Sequence, residues 1–279
     1  MIARCVKIIP KQVIDRNKKE CENMDLQDAF YGNAELTAMQ EMVYHRKSTR
    51  SYTGEPVDEA TIQKIENFSQ SLKPLYPDLK CSCQIVDGDS VKCILPWTTP
   101  QMAALYGEKR PGALVNVGFL YQQLDLYLQS LGLGACWLGM GRLDPKAELP
   151  SVADGQEFAI LLAFGWPKGA ALRESVGEFK RKSLEEISDR ADERLEPARL
   201  APSSVNSQPW YFAHDKDLIH VYCAMSGVFR KKEPSRMNLV DIGIALAQLY
   251  VVNLETFRFF RIEKREEKAG YAYIGSVTL

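Results

Sequence analysis

The sequence predicts a fold that mixes helices and strands in one chain, and three observations carry this. Two long stretches, Ala113–Leu131 and Leu239–Leu254, place apolar residues at helical spacing and hold almost no charge. Around them lie short apolar runs of strand length, among them Glu157–Gly165, Leu218–Cys223 and Tyr271–Val277. The third is LAPSSVNSQPWY at 200–211, a stiff polar loop that leads straight into a strand starting at Trp210. Proline presets φ there, and serine and asparagine side chains bond nearby backbone. Such a loop holds hydroxyls and an amide in fixed positions, as a polar planar ligand requires. An ordinary helix-to-strand turn has the same composition.

The elements follow in order. Residues 1–33 read as an N-terminal extension. The first nineteen carry Arg4, Lys7, Lys11, Arg16, Lys18 and Lys19 against Asp15. A flexible arm is expected for 1–23, with a targeting arm or a start at Met24 as alternatives. Ala34–His45 has Leu36, Met39, Met42 and Val43 at helical spacing. It runs into RKSTRSY at 46–52. Forked arginines and hydroxyls suit a phosphate, and a solvated basic helix end explains the same residues. Asp58 reads as the N-cap of a helix through Ser71, with Ile62, Ile65 and Phe68 on its buried stripe. Cys81–Val86 and Val91–Leu95 read as a hairpin around Asp87-Gly88-Asp89. Trp97–Arg110 reads as irregular, a lid or a short helix. Ala113–Leu131 ends at the glycine series Gly132, Gly134, Gly139 and Gly141, which allows close backbone approach. Glu157–Gly165 reads as a central strand covered on both faces. FKRKSLEEI at 179–187 is a second basic cluster, or else a charged linker. Asp189–Ala201 is helical in character, with Pro197 set to start, kink or break it. Lys231, Lys232 and Arg236 fall in a loop. In Leu239–Leu254 the small residues Gly243, Ala245 and Ala247 permit close helix packing. Phe257–Glu263 and Tyr271–Val277 are the last strands.

With 279 residues and 46% hydrophobic content, the chain makes one large domain or two smaller ones. A net charge of −1 exerts no pull on nucleic acid or acidic membranes. The seven cysteines are odd in number and lack CxxC spacing, and the three histidines form no ligand-spaced group. No metal site is expected. Reduced thiols point to the cytoplasm, and no stretch has the length of a membrane span.

Four segments together resemble the nitroreductase family of flavin-dependent oxidoreductases, in the branch that fuses a duplicated arrangement into one chain. They are RKSTRSY at 46–52, GLGACWLGMG at 132–141, FKRKSLEEI at 179–187 and APSSVNSQPW at 201–210. The resemblance implies an α+β fold, with mixed, mainly antiparallel sheets flanked by helices, and FMN bound where two subunits meet. By resemblance, Arg46, Ser48 and Arg181 hold the phosphate, with Lys47 standing where the family commonly has arginine. Arg50 reaches the ribityl or pyrimidine side. Leu138 and Gly139 approach the ring, and Pro202, Ser203, Ser204 and Asn206 face the cofactor from the other half.

The order of the segments departs from the family's. The ring loop belongs after Ile65–Ser71, where LKPLYPDLKCS stands instead, and it appears after the basic tail. Residues 34–187 therefore carry the phosphate clamp and Gly-rich segment, and 188–279 the ring loop. Two fused halves forming an intrachain pseudo-dimer with one intact FMN site are expected, as a monomer or weak homodimer. The implied activity is NAD(P)H-driven, ping-pong electron transfer to a small acceptor such as a nitroaromatic or quinone. No residue stands out as a catalytic acid or base, and no GxGxxG fingerprint marks a separate nicotinamide domain. A non-catalytic FMN-binding or storage protein is the alternative, and a scaffold with an empty, decayed site a third reading.

Overall fold

The computed structural model describes residues 32–93, 97–147, 149, 151–226, 233–262 and 268–279. The expectations for 1–23, for the end of the 91–95 strand, for Lys231 and Lys232, and for Glu263 lie outside these residues.

Helix α1 (Asn33–His45) buries Met39, Met42 and Val43, and α2 (Glu59–Ser71) buries Ile62, Ile65 and Phe68. Asp58 caps α2 as expected, accepting from the Thr61 amide at 3.0 Å. Strand β1 (Cys81–Asp87) follows, but the expected hairpin with the next strand does not form. Instead β1 pairs antiparallel with β3 (Gln101–Glu108), while β2 (Val91–Lys92) pairs with β5 (Arg142–Leu143). The Gly88 amide bonds the Pro100 carbonyl at 2.7 Å, so Asp87-Gly88-Asp89 diverts the chain rather than reversing it.

The stretch expected to be irregular thus holds an interior strand. Residues Met102–Tyr106 are buried on both faces. Alanine, leucine and methionine carry no strand preference of their own. What fixes β3 is its neighbours, β1 on one side and β6 (Gln156–Gly165) on the other. Strand β4 (Gly134–Leu138), read from sequence only as glycine-rich backbone, completes the sheet in the order β1-β3-β6-β4. Its outer face, with Met102, Tyr106, Leu138 and Leu161, is covered by Val91, Cys93 and Leu143 of the β2–β5 region.

Helix α3 (Ala113–Ser130) is buried on nearly every side, as its lack of charge requires. After the short helices α4 (Leu184–Ile187) and α5 (Glu196–Leu200), β7 (Trp210–Asp215) and β8 (Leu218–Ala224) form a hairpin. Pro197 sits in the first turn of α5, where its missing N–H costs nothing. Helix α6 (Arg236–Val252) starts three residues before the expected point, capped by Ser235, which accepts from the Asn238 amide at 3.1 Å. Arg236 is therefore helical. Strands β9 (Arg258–Phe260) and β10 (Tyr271–Thr278) close a second sheet, ordered β7-β8-β10-β9.

The two four-stranded sheets repeat one pattern. Each runs strand, strand, long helix, strand, strand, and each places its fourth strand between its second and third. The two long helices cross at Gly118 and Gly243, and the contact is reciprocal. A Cβ on Gly118 would lie 2.0 Å from the Val240 carbonyl oxygen, and one on Gly243 would lie 2.0 Å from that of Val115. Each glycine thus meets the carbonyl three residues before its counterpart. Among the described residues, no helix is long and apolar enough to cross a membrane.

Candidate functional site

The segment after α1 runs beside β4. Ser48 bridges Ala135 in parallel, and the Thr49 amide bonds the Ala135 carbonyl at 2.9 Å. Gly134 makes this approach possible, since a Cβ there would stand 2.4 Å from the Thr49 hydroxyl oxygen. Arg46 turns inward and is 1% exposed. Its Nε donates to Asp125 Oδ2 at 2.8 Å, and its Nη2 reaches Ser48 Oγ at 3.4 Å. Gln122 and Gln129 also donate to Asp125, at 2.8 and 3.0 Å, and Trp137 Nε1 donates to Gln122 at 3.0 Å. The Lys47 amide donates to Gln129 at 3.0 Å, while the Lys47 side chain is exposed, as is that of Arg50. A buried ion pair survives when its remaining hydrogen-bond capacity is filled, and this network fills that of Asp125. Arg46 thereby fixes the backbone that presents Ser48.

Arg173 closes over this segment, donating through Nη1 to the Arg46 carbonyl. Its guanidinium lies 4.1 Å from the centroid of the buried Phe179 ring, with that of Arg181 5.7 Å away. Arg181 then joins the basic tail to the polar loop. Its Nε donates to the Ala201 carbonyl at 2.9 Å, and its Nη1 donates to Asn206 Oδ1 at 2.7 Å. Asn206 Nδ2 donates back to the Lys180 carbonyl at 2.9 Å. The Lys182 amide donates to Gln208 Oε1 at 2.7 Å, and its Nζ reaches the Ser207 carbonyl at 3.1 Å. Burial, then Arg46, Arg173 and Arg199, pull the Arg181 guanidinium down to about 10. Arg173 is lowered by burial and by Arg46 and Arg50. Two guanidiniums lowered by burial and by neighbouring cations mark a site where an anion is favoured.

The loop itself is strained. Val205, Asn206 and Gln208 hold φ of 47°, 57° and 49°, although none is glycine. Val205 is β-branched and 96% exposed, so burial does not explain its conformation. Ser203 Oγ accepts from the Gln208 amide at 2.9 Å, and the Asn206 amide donates to the Ser203 carbonyl at 3.0 Å. From α6, Asp241 accepts the Ser204 amide on both oxygens, at 3.0 and 3.2 Å. Burial pushes the Asp241 carboxyl up to about 7 against that hydrogen bond. Pro202 is buried beneath the loop.

Leu138 is buried at the end of β4, and a Cβ on the next residue, Gly139, would lie 2.9 Å from Met237 Sδ. Met237 and Asp241 are one turn apart on α6, so Gly139 and the loop flank the same end of that helix. The structure thus links the predicted residues in a chain of contacts: Ser48 to Arg46, Arg46 to Arg173, Arg173 through Phe179 to Arg181, and Arg181 to Asn206. Asp125, Arg173 and Asp241 have no place in the sequence reading. Asp125 and Asp241 carried a signal, because each is the lone carboxylate within a helix otherwise poor in charge. Arg173 carried none.

The family model described as "Putative TM nitroreductase" matches residues 38–253. The crystal structure of a "putative nitroreductase" from Thermotoga maritima is 20% identical, with a TM-score of 0.57, covering 90% of this chain and 96% of that one. A nitroreductase family protein from Clostridium difficile is 18% identical, with a TM-score of 0.41, covering 56% and 96%. A nitroreductase with bound FMN from Bacteroides fragilis is 15% identical, with a TM-score of 0.38, covering 52% and 94%. No curated protein matches the sequence at a significant level.

Proposed function

The chain belongs to the TM nitroreductase family, and from that premise we propose that it is an FMN-dependent oxidoreductase using NAD(P)H to reduce a small acceptor such as a nitroaromatic or quinone. The observation that carries this is the joining of Arg181 to Asn206 and Ala201, which brings the basic tail and the strained polar loop into one site.

The donor set fits a mononucleotide. Neighbouring cations, Arg46 among them, lower the Arg173 and Arg181 guanidiniums, and a phosphate of charge near −2 relieves that repulsion. Ser48, oriented by Arg46, and the guanidiniums of Arg173 and Arg181 would hold the phosphate. Arg50 is exposed for the ribityl or pyrimidine side. Pro202, Ser203, Ser204 and Asn206 would line the ring, with Leu138 and Gly139 opposite. FMN held there would supply the redox chemistry between a nicotinamide donor and the acceptor. The protein's part is to fix that ring between two rigid elements and to present cations toward its negative charge.

One site per chain follows from the two halves, 34–187 and 188–279, acting as a fused pseudo-dimer. The repeated strand order and the reciprocal glycine crossing support this, as an isologous contact does in a true dimer. So does a second pair of contacts. The Ser204 amide donates to Asp241 at 3.0 Å, and the Tyr76 amide donates to Asn116 at 2.8 Å. Asp241 and Asn116 each lie two residues before a crossing glycine. Leu200-Ala201-Pro202-Ser203-Ser204 thereby aligns with Leu72-Lys73-Pro74-Leu75-Tyr76. In the first half Leu75 and Tyr76 replace the two serines, and Leu75 is buried in the core. That side keeps the amide contact to the long helix, but an aliphatic side chain and a phenol stand in place of the serine hydroxyls and the left-handed backbone of the loop is absent.

Anaerobic addition of NADH or NADPH to the purified chain tests the activity. Bleaching of the flavin band, and its return on adding a nitroaromatic or quinone, is expected. Bound flavin that neither donor bleaches would instead mark a binding or storage protein.

A further inference from the structure

A cavity of ≈ 530 Å³ opens beside the Gly-rich segment, lined by Lys92, Cys93, Gly139, Met140 and Arg142. Lys92 and Arg142 are direct partners in the β2–β5 ladder. Side chains directly opposite in an antiparallel pair share one face, and like charges in that position destabilise it. Only Lys92 is offset, by Asp144 at 3.1 Å with the lysine still 64% exposed. The Arg142 guanidinium has no hydrogen-bond or ion-pair partner among the described residues. Met140 is 70% exposed at the same wall, an apolar surface next to the cations. A two-stranded ladder that sets two cations side by side against a cavity is stabilised by an anion between them. Gly139 belongs both to this wall and to the segment assigned to the flavin ring.

We propose that the cavity receives the anionic group of a substrate reacting at the flavin, held by Arg142 and seconded by Lys92, with Met140 against the substrate's apolar part. This rests on the FMN reading and names the substrate class: a planar compound bearing a carboxylate or phosphate. The anion belongs either to the acceptor or to the nicotinamide donor.

Calorimetric titration of the FMN-loaded full chain with 4-nitrobenzoate and nitrobenzene, and with NADPH and NADH, reads both sources. The charged member of one pair is expected to bind at least about tenfold more tightly than its uncharged or less charged counterpart. Arg142→Gln removes that preference, and Lys92→Gln weakens it, with bound FMN and nitrobenzene affinity unchanged. A preference in the first pair assigns the anion to the acceptor; one in the second assigns it to the donor. Equal affinities within both pairs, or a preference untouched in both variants, overturns the proposal. A chain that takes up no FMN yet binds 4-nitrobenzoate through Arg142 refutes the flavin reading and leaves the anion site standing.

Discussion

Val205 holds a left-handed backbone with a branched, 96% exposed side chain. Such a conformation costs about 1–3 kcal/mol and persists only where the surroundings impose it. Val205→Gly removes the strain and adds glycine's unfolded-state entropy of about 0.5–1 kcal/mol. A net gain of about 1 kcal/mol in urea unfolding is expected, together with weaker FMN binding as the loop loosens; a loss of stability would show that the φ carries no strain. Asp241 makes a second case. With its folded pKa raised to about 7, it binds a proton on folding between pH ~4 and ~7. Its contribution is present below the ordinary carboxylate range and is lost as pH rises through about 7. Compared with Asp241→Asn, the native chain should lose stability over that range, by at most about 4 kcal/mol. Parallel pH profiles of the two proteins would contradict this. At this scale the sequence discloses residue types but not partners. Serines 203 and 204 and Asn206 are legible as a polar loop from composition, whereas its handedness is not, because no glycine marks it. Arg46 and Asp125 lie 79 positions apart, beyond the reach of any local spacing.

The crossing of α3 and α6 is the element on which both sheets are hung. Gly243→Ala would place a methyl 2.0 Å from the Val115 carbonyl oxygen, and that atom is backbone within a buried helix. The helices must separate, at a cost of about 3 kcal/mol or more in unfolding free energy. A Gly243→Ala chain as stable as the native one would mean that the helices do not approach this closely. These helices are legible in the sequence because each holds one carboxylate among apolar residues at 3.6 spacing. Strand β3 is not, since Met102-Ala103-Ala104-Leu105 suits a helix as well as a strand and only its neighbours decide. The β1–β2 hairpin misreads for a related reason. Asp87-Gly88-Asp89 signals a turn, but the partner that β1 finds lies beyond Pro100, which no local signal announces.

For the whole molecule, the question is whether 34–187 and 188–279 together make one flavin site. Arg181 is the cation through which the halves meet beside Asn206. Arg181→Gln removes a cation and its bonds to Ala201 and Asn206. Charge-assisted bonds of this kind contribute about 1.5–3 kcal/mol, so FMN affinity should fall roughly 10- to 100-fold. Lys180→Gln, which keeps the backbone carbonyl that joins this network and changes only an exposed side chain, should leave it unchanged. Equal FMN affinity in both variants would remove Arg181 from the site. The family resemblance makes the four segments legible in sequence and their order suggests complementation. The repeated strand order and paired glycines that support it are three-dimensional, and the two halves are too diverged in residue type to betray them. The most direct test is the flavin-to-protein ratio of the purified chain, with its mass in solution. One FMN per chain, in a particle of one chain's mass, is the expected result. Two FMN per chain, or flavin bound only when two chains associate, would contradict a site built from the halves of a single polypeptide.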